Sequence, residues 1–362
     1  MQLWEETLQK LLDSEMETNK KILVYGYFGF ETNQLDGQTI KTRSIYELLK
    51  LNSDELSMEV EMFDTQIFKN SKINLFKSWV LISKCSVLFY IPAHGNLKYL
   101  FPFIYLICKI KGIEIHYVVV GGWLSDFLKK LHLHKFLLKR IKRIYPQTKD
   151  LTEALKRNYG FENVIQLHNF RFSNVDSNDS RISDDGLRFV FMARVHPKKG
   201  IGTLFKLAEK LDELGYENIV IDIYGPIQSE YKQEFSQLLE QNKGHIQYCG
   251  IISPDNIAEV LRNYDLFLLP TEYYTEGFPG SVLDAYLSNV PVVVSKWKYA
   301  EEFVEDNKTG IIAAFNDADD FIEKVIWLIN NPDKIAVLRN GVVDVKKKYA
   351  PEEAWKIIKN NI

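Results

Sequence analysis

Two stretches in the second half of the chain have residue types and spacing that could do chemistry. Residues 266–295 (LFLLPTEYYTEGFPGSVLDAYLSNVPVVVS) read as a buried strand, a loop rich in Gly and Tyr, a helix and a second buried strand. Glu276 lies near the end of the loop, and Asp284 lies eight residues on, within the helix. Gly277 and Gly280 bracket Phe278 and Pro279, which allows close approach of backbone to a ligand. A helix beginning near Gly280 and Ser281 directs free N–H groups and a positive dipole end outward, an arrangement that suits a phosphate. One such terminus contributes only about 0.3–1 kcal/mol, so a diphosphate needs further cations. They are available in FMARVHPKKGIGTL, residues 191–204, where Arg194 and Lys199 flank a turn at Pro197. A guanidinium fork with an ammonium at the carboxyl edge of a sheet suits a pyrophosphate. The plainer reading makes Glu276 a solvated loop acid, Ser281 an ordinary cap and the cationic loop a solvated one. The two loops together, in one half of the chain, favour a site.

The elements that must position these residues alternate. In the first half, strands are expected at Lys21–Gly26, Met58–Phe63, Val87–Ile91, Ile113–Val120 and Arg143–Tyr145, separated by helices at Thr39–Leu51, Ile73–Lys84, Tyr99–Lys111 and Thr148–Asn158. Residues 171–186 (RFSNVDSNDSRISDDG) break the rhythm with small polar residues and read as a linker. The rhythm restarts with strands at Arg188–Met192, Asn218–Tyr224, Ile246–Tyr248, Leu266–Leu269 and Val290–Val294. Helices are expected at Ile201–Leu214, Glu230–Gln241, Pro254–Asn263 and Ser281–Leu287, with two more between Asp317 and Lys348. Such alternation predicts an α/β fold of two doubly wound, Rossmann-like domains, 1–170 and 187–348, facing across a cleft. Residues 349–362 are expected to form a C-terminal helix that packs back on the first domain.

Composition bounds the function. The chain of 362 residues is long enough for two domains of about 150–200 residues. With 46% hydrophobic and 26% charged residues, wholesale disorder is excluded. The net charge of −3 hides an asymmetry: residues 1–168 carry 23 Lys and Arg against 18 Asp and Glu, and residues 169–362 carry 22 against 30. Cys85, Cys108 and Cys249 form no CxxC pair and no zinc-type spacing, and each lies in or beside an apolar stretch, so buried free thiols in a reducing compartment are expected. The first residues, MQLWEETLQKLLDSEMETNK, carry Glu5, Glu6 and Asp13 where an export signal needs basic and then apolar residues. Their apolar positions, Leu3, Trp4, Leu8, Leu11, Leu12 and Met16, recur at helical spacing and predict an amphipathic helix. The longest apolar run, Tyr99–Ile110, is broken by Pro102 and Lys109 and falls far short of the ~20 residues that span a bilayer.

With these residues in place, the second half resembles the retaining family-4 glycosyltransferases (glycosyl transferases group 1, bacterial surface-polysaccharide type), which have the GT-B fold. ARVHPKKG looks like the G-R-x-x-x-x-K-G element of that family, with Ala193 in place of the leading Gly. The resemblance implies that Arg194 and Lys199 hold the donor diphosphate. TEYYTEGFPGSVLDAY looks like the E-x7-E element, which puts Glu276 against the donor sugar and Asp284, one methylene shorter than the usual Glu, against the nucleotide ribose. It also implies cleft loops at Gly225–Pro226 and Gly250–Ile251, with Ile251 near the base, and donor hydroxyls read by backbone N–H groups around Phe278–Ser281. In the first half the likeness is one of architecture and of one loop. GYFGFETNQLDGQTIKT, residues 26–42, looks like the Gly-containing loop that meets acceptor and donor phosphate, with Gly37, Gln38, Thr39 and Lys41 at a helix N-terminus. A Walker A loop is excluded because GQTIKT lacks its spacing, and Gly26 and Gly29 do not make a dinucleotide fingerprint. Many relatives carry a His facing the acceptor after the fourth strand. Here Gly121, Gly122 and Trp123 stand there instead, so Gly122 is assigned to the acceptor side and no histidine is given a catalytic role.

The resemblance thus implies a retaining enzyme that moves a sugar from a nucleotide-sugar donor, UDP-sugar first, to a lipid-linked glycan acceptor in capsule or other cell-surface polysaccharide synthesis. No metal and no cofactor are expected. Residues 129–149 hold eight Lys and Arg and no acid, interleaved with Leu131, Leu133, Phe136, Leu137, Leu138 and Ile141. They suit an anionic membrane surface or a lipid-diphosphate acceptor; a solvated helix face is the alternative. Nucleic acid is not an expected partner, because no aromatic–basic module is present. The expected location is cytoplasmic, peripheral on the inner face of the cell membrane. Two other classes stay open: a GT-B sugar-nucleotide epimerase, which would interconvert donor alone, and a non-catalytic glycan- or lipid-binding partner subunit.

Overall fold

The computed structural model describes residues 20–31, 37–69, 73–172, 186–242 and 244–362. The amphipathic helix expected within residues 1–20, part of the 26–42 loop and most of the 171–186 linker lie outside the described residues.

The first domain is a parallel five-stranded sheet of β1 (Lys21–Gly26), β2 (Glu59–Asp64), β3 (Val87–Ile91), β4 (Glu114–Val118) and β5 (Arg143–Tyr145), in the order β2-β1-β3-β4-β5. Its central strand β3, VLFYI, is buried along its whole length, as a strand covered on both faces must be, whereas the edge strand β2 is largely half-exposed. Helices α1 (Gly37–Leu51), α2 (Ser53–Leu56), α3 (Ile73–Ile82), α4 (His94–Tyr99), α5 (Phe101–Lys111), α6 (Leu124–Leu128), α7 (His132–Leu138) and α8 (Lys149–Tyr159) join the strands. The stretch 129–149 is therefore α7, β5 and the start of α8, joined by turns. Of its interleaved apolar residues, Leu137, Leu138 and Ile141 turn into the core, because a sheet-covering helix buries its apolar stripe, and only Leu133 and Phe136 are exposed.

The second domain is a parallel six-stranded sheet of β6 (Leu187–Met192), β7 (Ile219–Tyr224), β8 (Ile246–Gly250), β9 (Leu266–Leu269), β10 (Val292–Ser295) and β11 (Gly310–Ala313), in the order β11-β10-β9-β6-β7-β8. Its helices are α9 (Ile201–Glu213), α10 (Lys232–Gln241), α11 (Ile257–Leu261), α12 (Gly280–Leu287), α13 (Ala300–Phe303), α14 (Ala318–Ile329) and α15 (Pro332–Val345). The final helix α16 (Pro351–Lys359) returns to the first domain, where Ala354 and Ile358 join the core of Ile22, Val24 and Ile45. Cys85 and Cys108 are buried, and burial pushes the Cys85 thiol up to about 12. Cys249 is exposed, contrary to expectation, because it lies on the outward side of the edge strand β8. Among the described residues no helix is long and apolar enough to cross a membrane.

Strand order reverses direction between β6 and β9 in the second sheet, and the loops leaving those two neighbouring strands diverge there. Such a switch point opens a crevice at the carboxyl ends of the strands. The loop after β6 carries Arg194 and Lys199, and the loop after β9 carries Glu276 through Gly280.

Candidate functional site

A cavity of about 660 Å³ occupies this switch point and extends across to the first domain. Its lining includes Gly37, Gly122, Arg194, Lys199, Gly225, Ile251, Glu276, Gly277, Pro279, Gly280, Ser281 and Asp284, twelve of the fifteen residues expected at the site. Two glycines let the loops meet. Gly200 has φ +80°, and a Cβ there would stand 1.9 Å from Pro270 O. Gly225 has φ +135°, and a Cβ would stand 2.0 Å from Ala193 O. Glu272 N also donates to Lys198 O at 2.9 Å, binding the two loops edge to edge.

The charges are arranged in two groups. Lys199 Nζ lies 2.5 Å from Glu276 Oε2, with both side chains mostly shielded, and 5.1 Å from the Tyr273 ring centroid. An ion pair so shielded is costly to break by removing one partner alone. Arg194 is exposed to the cavity and has no carboxylate partner among the described residues. On the opposite wall α12 starts at Gly280 with Pro279 as its cap. The Val282 and Leu283 amides donate back to Pro279 O, while those of Gly280 and Ser281 have no protein acceptor among the described residues. This is the free helix terminus that the spacing predicts.

Asp284, in the second turn of α12, accepts from Arg171 Nε at 3.0 Å. Burial pushes its carboxyl up, and the Arg171 guanidinium opposes that shift. Arg171 is the main residue the sequence reasoning missed, because it heads the polar segment read as a linker. Its guanidinium crosses from the first domain and lies over the α12 terminus, where a Cβ on Gly280 would come within 2.4 Å of Nη2. The alternation in Ile165–Phe172 (IQLHNFRF) was the available signal that ordered structure continues to this point.

Three expected site residues do not line the cavity. Phe278 is buried in the second domain, stacked on Phe303 at 4.1 Å between centroids, because a large aromatic gains more from the core than from the cleft. Its N–H donates to Gln147 Oε1 and its carbonyl accepts from Asn169 Nδ2 at 2.8 Å, so neither is free to read a ligand. Gln38 reaches Ile91 O at 3.5 Å from the first turn of α1. Lys41 lies a turn into α1 on its inward face, with Nζ at 3.5 Å from Leu167 O, and burial with Arg171 nearby lowers it to about 7.

Gly122 lines the cavity for a steric reason. A Cβ there would stand 2.4 Å from the ring of Tyr299, whose hydroxyl donates to Gly122 O at 3.3 Å. A side chain at 122 would force the domains apart at this point. His94 packs tilted against Trp123 and edge-on to Phe127, with ring centroids 4.9 and 4.8 Å away. His116 is buried, bonded to Tyr145 at 3.1 Å, and burial lowers it to about 3. His196, which does line the cavity, uses Nδ1 to cap Lys198 N at 3.0 Å.

Comparison with known proteins places this geometry. Residues 173–341 match the family described as glycosyl transferases group 1. The capsular polysaccharide biosynthesis glycosyltransferase CapM of Staphylococcus aureus is 24% identical over 202 residues, covering 54% of this chain and 52% of that protein. A Campylobacter jejuni enzyme, N,N'-diacetylbacillosaminyl-diphospho-undecaprenol alpha-1,3-N-acetylgalactosaminyltransferase, is 37% identical over 104 residues, covering 28% of this chain and 27% of the enzyme. The chain thus spans about half the length, or less, of the curated relatives it matches. Among solved structures, Anabaena HepE in complex with UDP and glucose superposes with a TM-score of 0.71 at 13% identity, covering 94% of this chain and 98% of HepE. At that identity the likeness establishes the fold, and the fold is the two-domain α/β architecture expected from the alternating elements. Residues 173–341 thus match the glycosyl transferases group 1, in a chain whose fold is GT-B.

Proposed function

We infer that this chain is a retaining, metal-independent glycosyltransferase. It moves a sugar from a nucleoside-diphosphate sugar, UDP-sugar first, to a hydroxyl of a lipid-linked glycan during synthesis of a bacterial cell-surface polysaccharide. One observation carries the reading: Arg171, Arg194, Lys199 and the free α12 terminus converge with Glu276 on one cavity at the β6/β9 switch point. Three side-chain cations and a helix terminus supply the charge that a leaving diphosphate requires as it develops. The Campylobacter transferase, named for a diphospho-undecaprenol-linked sugar, supports an acceptor on a lipid diphosphate, and CapM, named for capsular polysaccharide biosynthesis, supports a surface glycan.

Binding begins with the Lys199–Glu276 pair. A diphosphate arriving beside Arg194 offers Lys199 a stronger anion, and Lys199 then releases Glu276 to accept hydrogen bonds from donor-sugar hydroxyls. Ile251, 62% exposed on the cavity wall, offers an apolar surface to the base. The acceptor hydroxyl attacks the anomeric carbon from the face the diphosphate leaves, and a leaving phosphate oxygen takes its proton. The bond to the diphosphate breaks as the new glycosidic bond forms on the same face. The chain works at the cytoplasmic face of the membrane, where both nucleotide sugars and lipid-linked acceptors are accessible.

The test is product analysis with UDP-sugars and a lipid-diphosphate glycan acceptor, the new linkage read by NMR anomeric coupling. Transfer with the donor's anomeric configuration is expected. Interconversion of donor without acceptor would make the chain an epimerase, and an inverted linkage would remove the same-face mechanism.

A further inference from the structure

Three helices on one face of the first sheet carry outward stripes that no part of the described chain covers. On α5 the inward residues are Phe101, Ile104 and Cys108, while Phe103, Leu106 and Ile110 are 58%, 56% and 73% exposed. Helices α3 and α7 both pack against α5 and add Phe76, Val80, Leu133 and Phe136, each more than half exposed. Apolar side chains of this size, grouped on adjacent helices, mark an interaction surface rather than scattered surface residues.

The charge around them is one-sided. From Thr65 to Ile113 the chain has seven lysines and no acid, and from Phe127 to Lys149 it has eight Lys and Arg and no acid. The two acids between these stretches are already paired, Glu114 with Lys142 and Asp126 with Lys129. Lys77, Lys98, Lys109, Lys111, Lys130 and Lys139 are exposed and have no carboxylate partner among the described residues. At the Ile110 end of α5 the face runs into a groove of about 620 Å³, where Lys109, Lys139, Arg140, Lys142 and Arg143 outnumber Glu114 and Glu162.

We propose that the α3–α5–α7 face docks this chain on an anionic lipid bilayer. The aromatic and aliphatic side chains enter the headgroup–acyl boundary, and the lysine border and groove hold lipid phosphates. Charge complementarity selects this occupant: so many unmatched cations around an apolar centre fit a continuous sheet of anionic headgroups. The face also reaches the site. Lys98 and Tyr99 end the short helix that begins at His94, whose ring lies 4.9 Å from that of Trp123 on the cavity wall. Docking therefore brings the bilayer to the first-domain rim of the cavity. The purpose of docking rests on the proposed lipid-linked acceptor, while docking itself needs no donor.

Cosedimentation of the full chain with vesicles tests this. Phosphatidylcholine vesicles containing about one third phosphatidylglycerol should retain the protein, and pure phosphatidylcholine should not. Salt at about 1 M, where charges are screened beyond ~3 Å, should release a large part of it. The pair Phe103→Glu and Ile110→Glu should lower partitioning at least about tenfold, with melting temperature and UDP binding unchanged. If that variant fails to fold, Lys109→Glu with Lys111→Glu should show the same loss. Equal retention by neutral and anionic vesicles, or undiminished retention of a folded variant, would overturn the proposal. So would a wild-type dimer that the glutamates split, which would assign the face to a second copy. Vesicle binding without UDP binding would leave docking standing and remove the transferase reading.

Discussion

At the scale of single residues, Lys199 and Glu276 neutralise each other across 2.5 Å, which sets what their removal should do. Lys199→Ala takes away a cation that stabilises the leaving diphosphate and should lower turnover about 10²–10³-fold at saturating donor, with the fold intact by circular dichroism. Near-normal turnover would show that Lys199 only shields Glu276. Lys41 makes a separate prediction in pH. Its folded pKa, lowered to about 7 by burial and then by Arg171, lies below the usual 10.5. The unfolded chain therefore holds the extra proton between about pH 7 and 10, so the cost of burying Lys41 is full below pH 7 and fades as pH rises. Lys41→Met should raise the melting temperature at pH 6, with a gain that shrinks towards pH 10; a gain independent of pH would contradict this. The meeting of Arg194, Lys199 and Glu276 at one cavity was legible, because the loops leaving two neighbouring parallel strands end at the same edge of the sheet. Arg171 was not legible, because its partner Asp284 lies 113 residues away and only folding brings the two together.

At the scale of elements, the site depends on two loops meeting at glycines. Gly225→Ala places a Cβ against Ala193 O at a backbone angle that L side chains rarely adopt, and should cost about 1–3 kcal/mol in urea unfolding. Donor affinity should fall with it, since Ala193 precedes Arg194; full stability would mean the loop relaxes freely. Strands β1, β3, β5 and β9 were legible residue for residue, because buried parallel strands are short apolar runs bounded by turn residues. Helix α6 and strand β11 were not expected. The helix spans five residues, less than two turns, and the strand, GIIA, opens on a glycine and holds only two β-branched residues. The basic stretch 129–149 supplies only part of the exposed apolar face: Leu137, Leu138 and Ile141 turn inward, Leu133 and Phe136 stay exposed, and the face is centred on α5.

At the scale of the molecule, the two domains are held by contacts that link the site to the interface. The Glu302 carboxylate of the second domain accepts from the Lys149 and Asp150 amides at 2.5 and 2.9 Å, capping α8 of the first. Glu302→Ala should speed hydrogen exchange at those two amides and leave exchange in the β7 core unchanged; identical exchange would mean the domains hold without this cap. The charge asymmetry between the halves was visible in the sequence, and the cleft was inferable from two doubly wound domains, but the interdomain bonds of Gln147, Asn169, Arg171 and Tyr299 were not. If the β6/β9 switch point binds a nucleoside diphosphate through Arg194 and Lys199, calorimetric titration of UDP into wild type, Arg194→Ala and Lys199→Ala will reveal it. One site per wild-type chain, weakened at least about tenfold by either alanine, is the predicted result. No binding of UDP or of any other nucleoside diphosphate, or equal affinity in all three proteins, would contradict it.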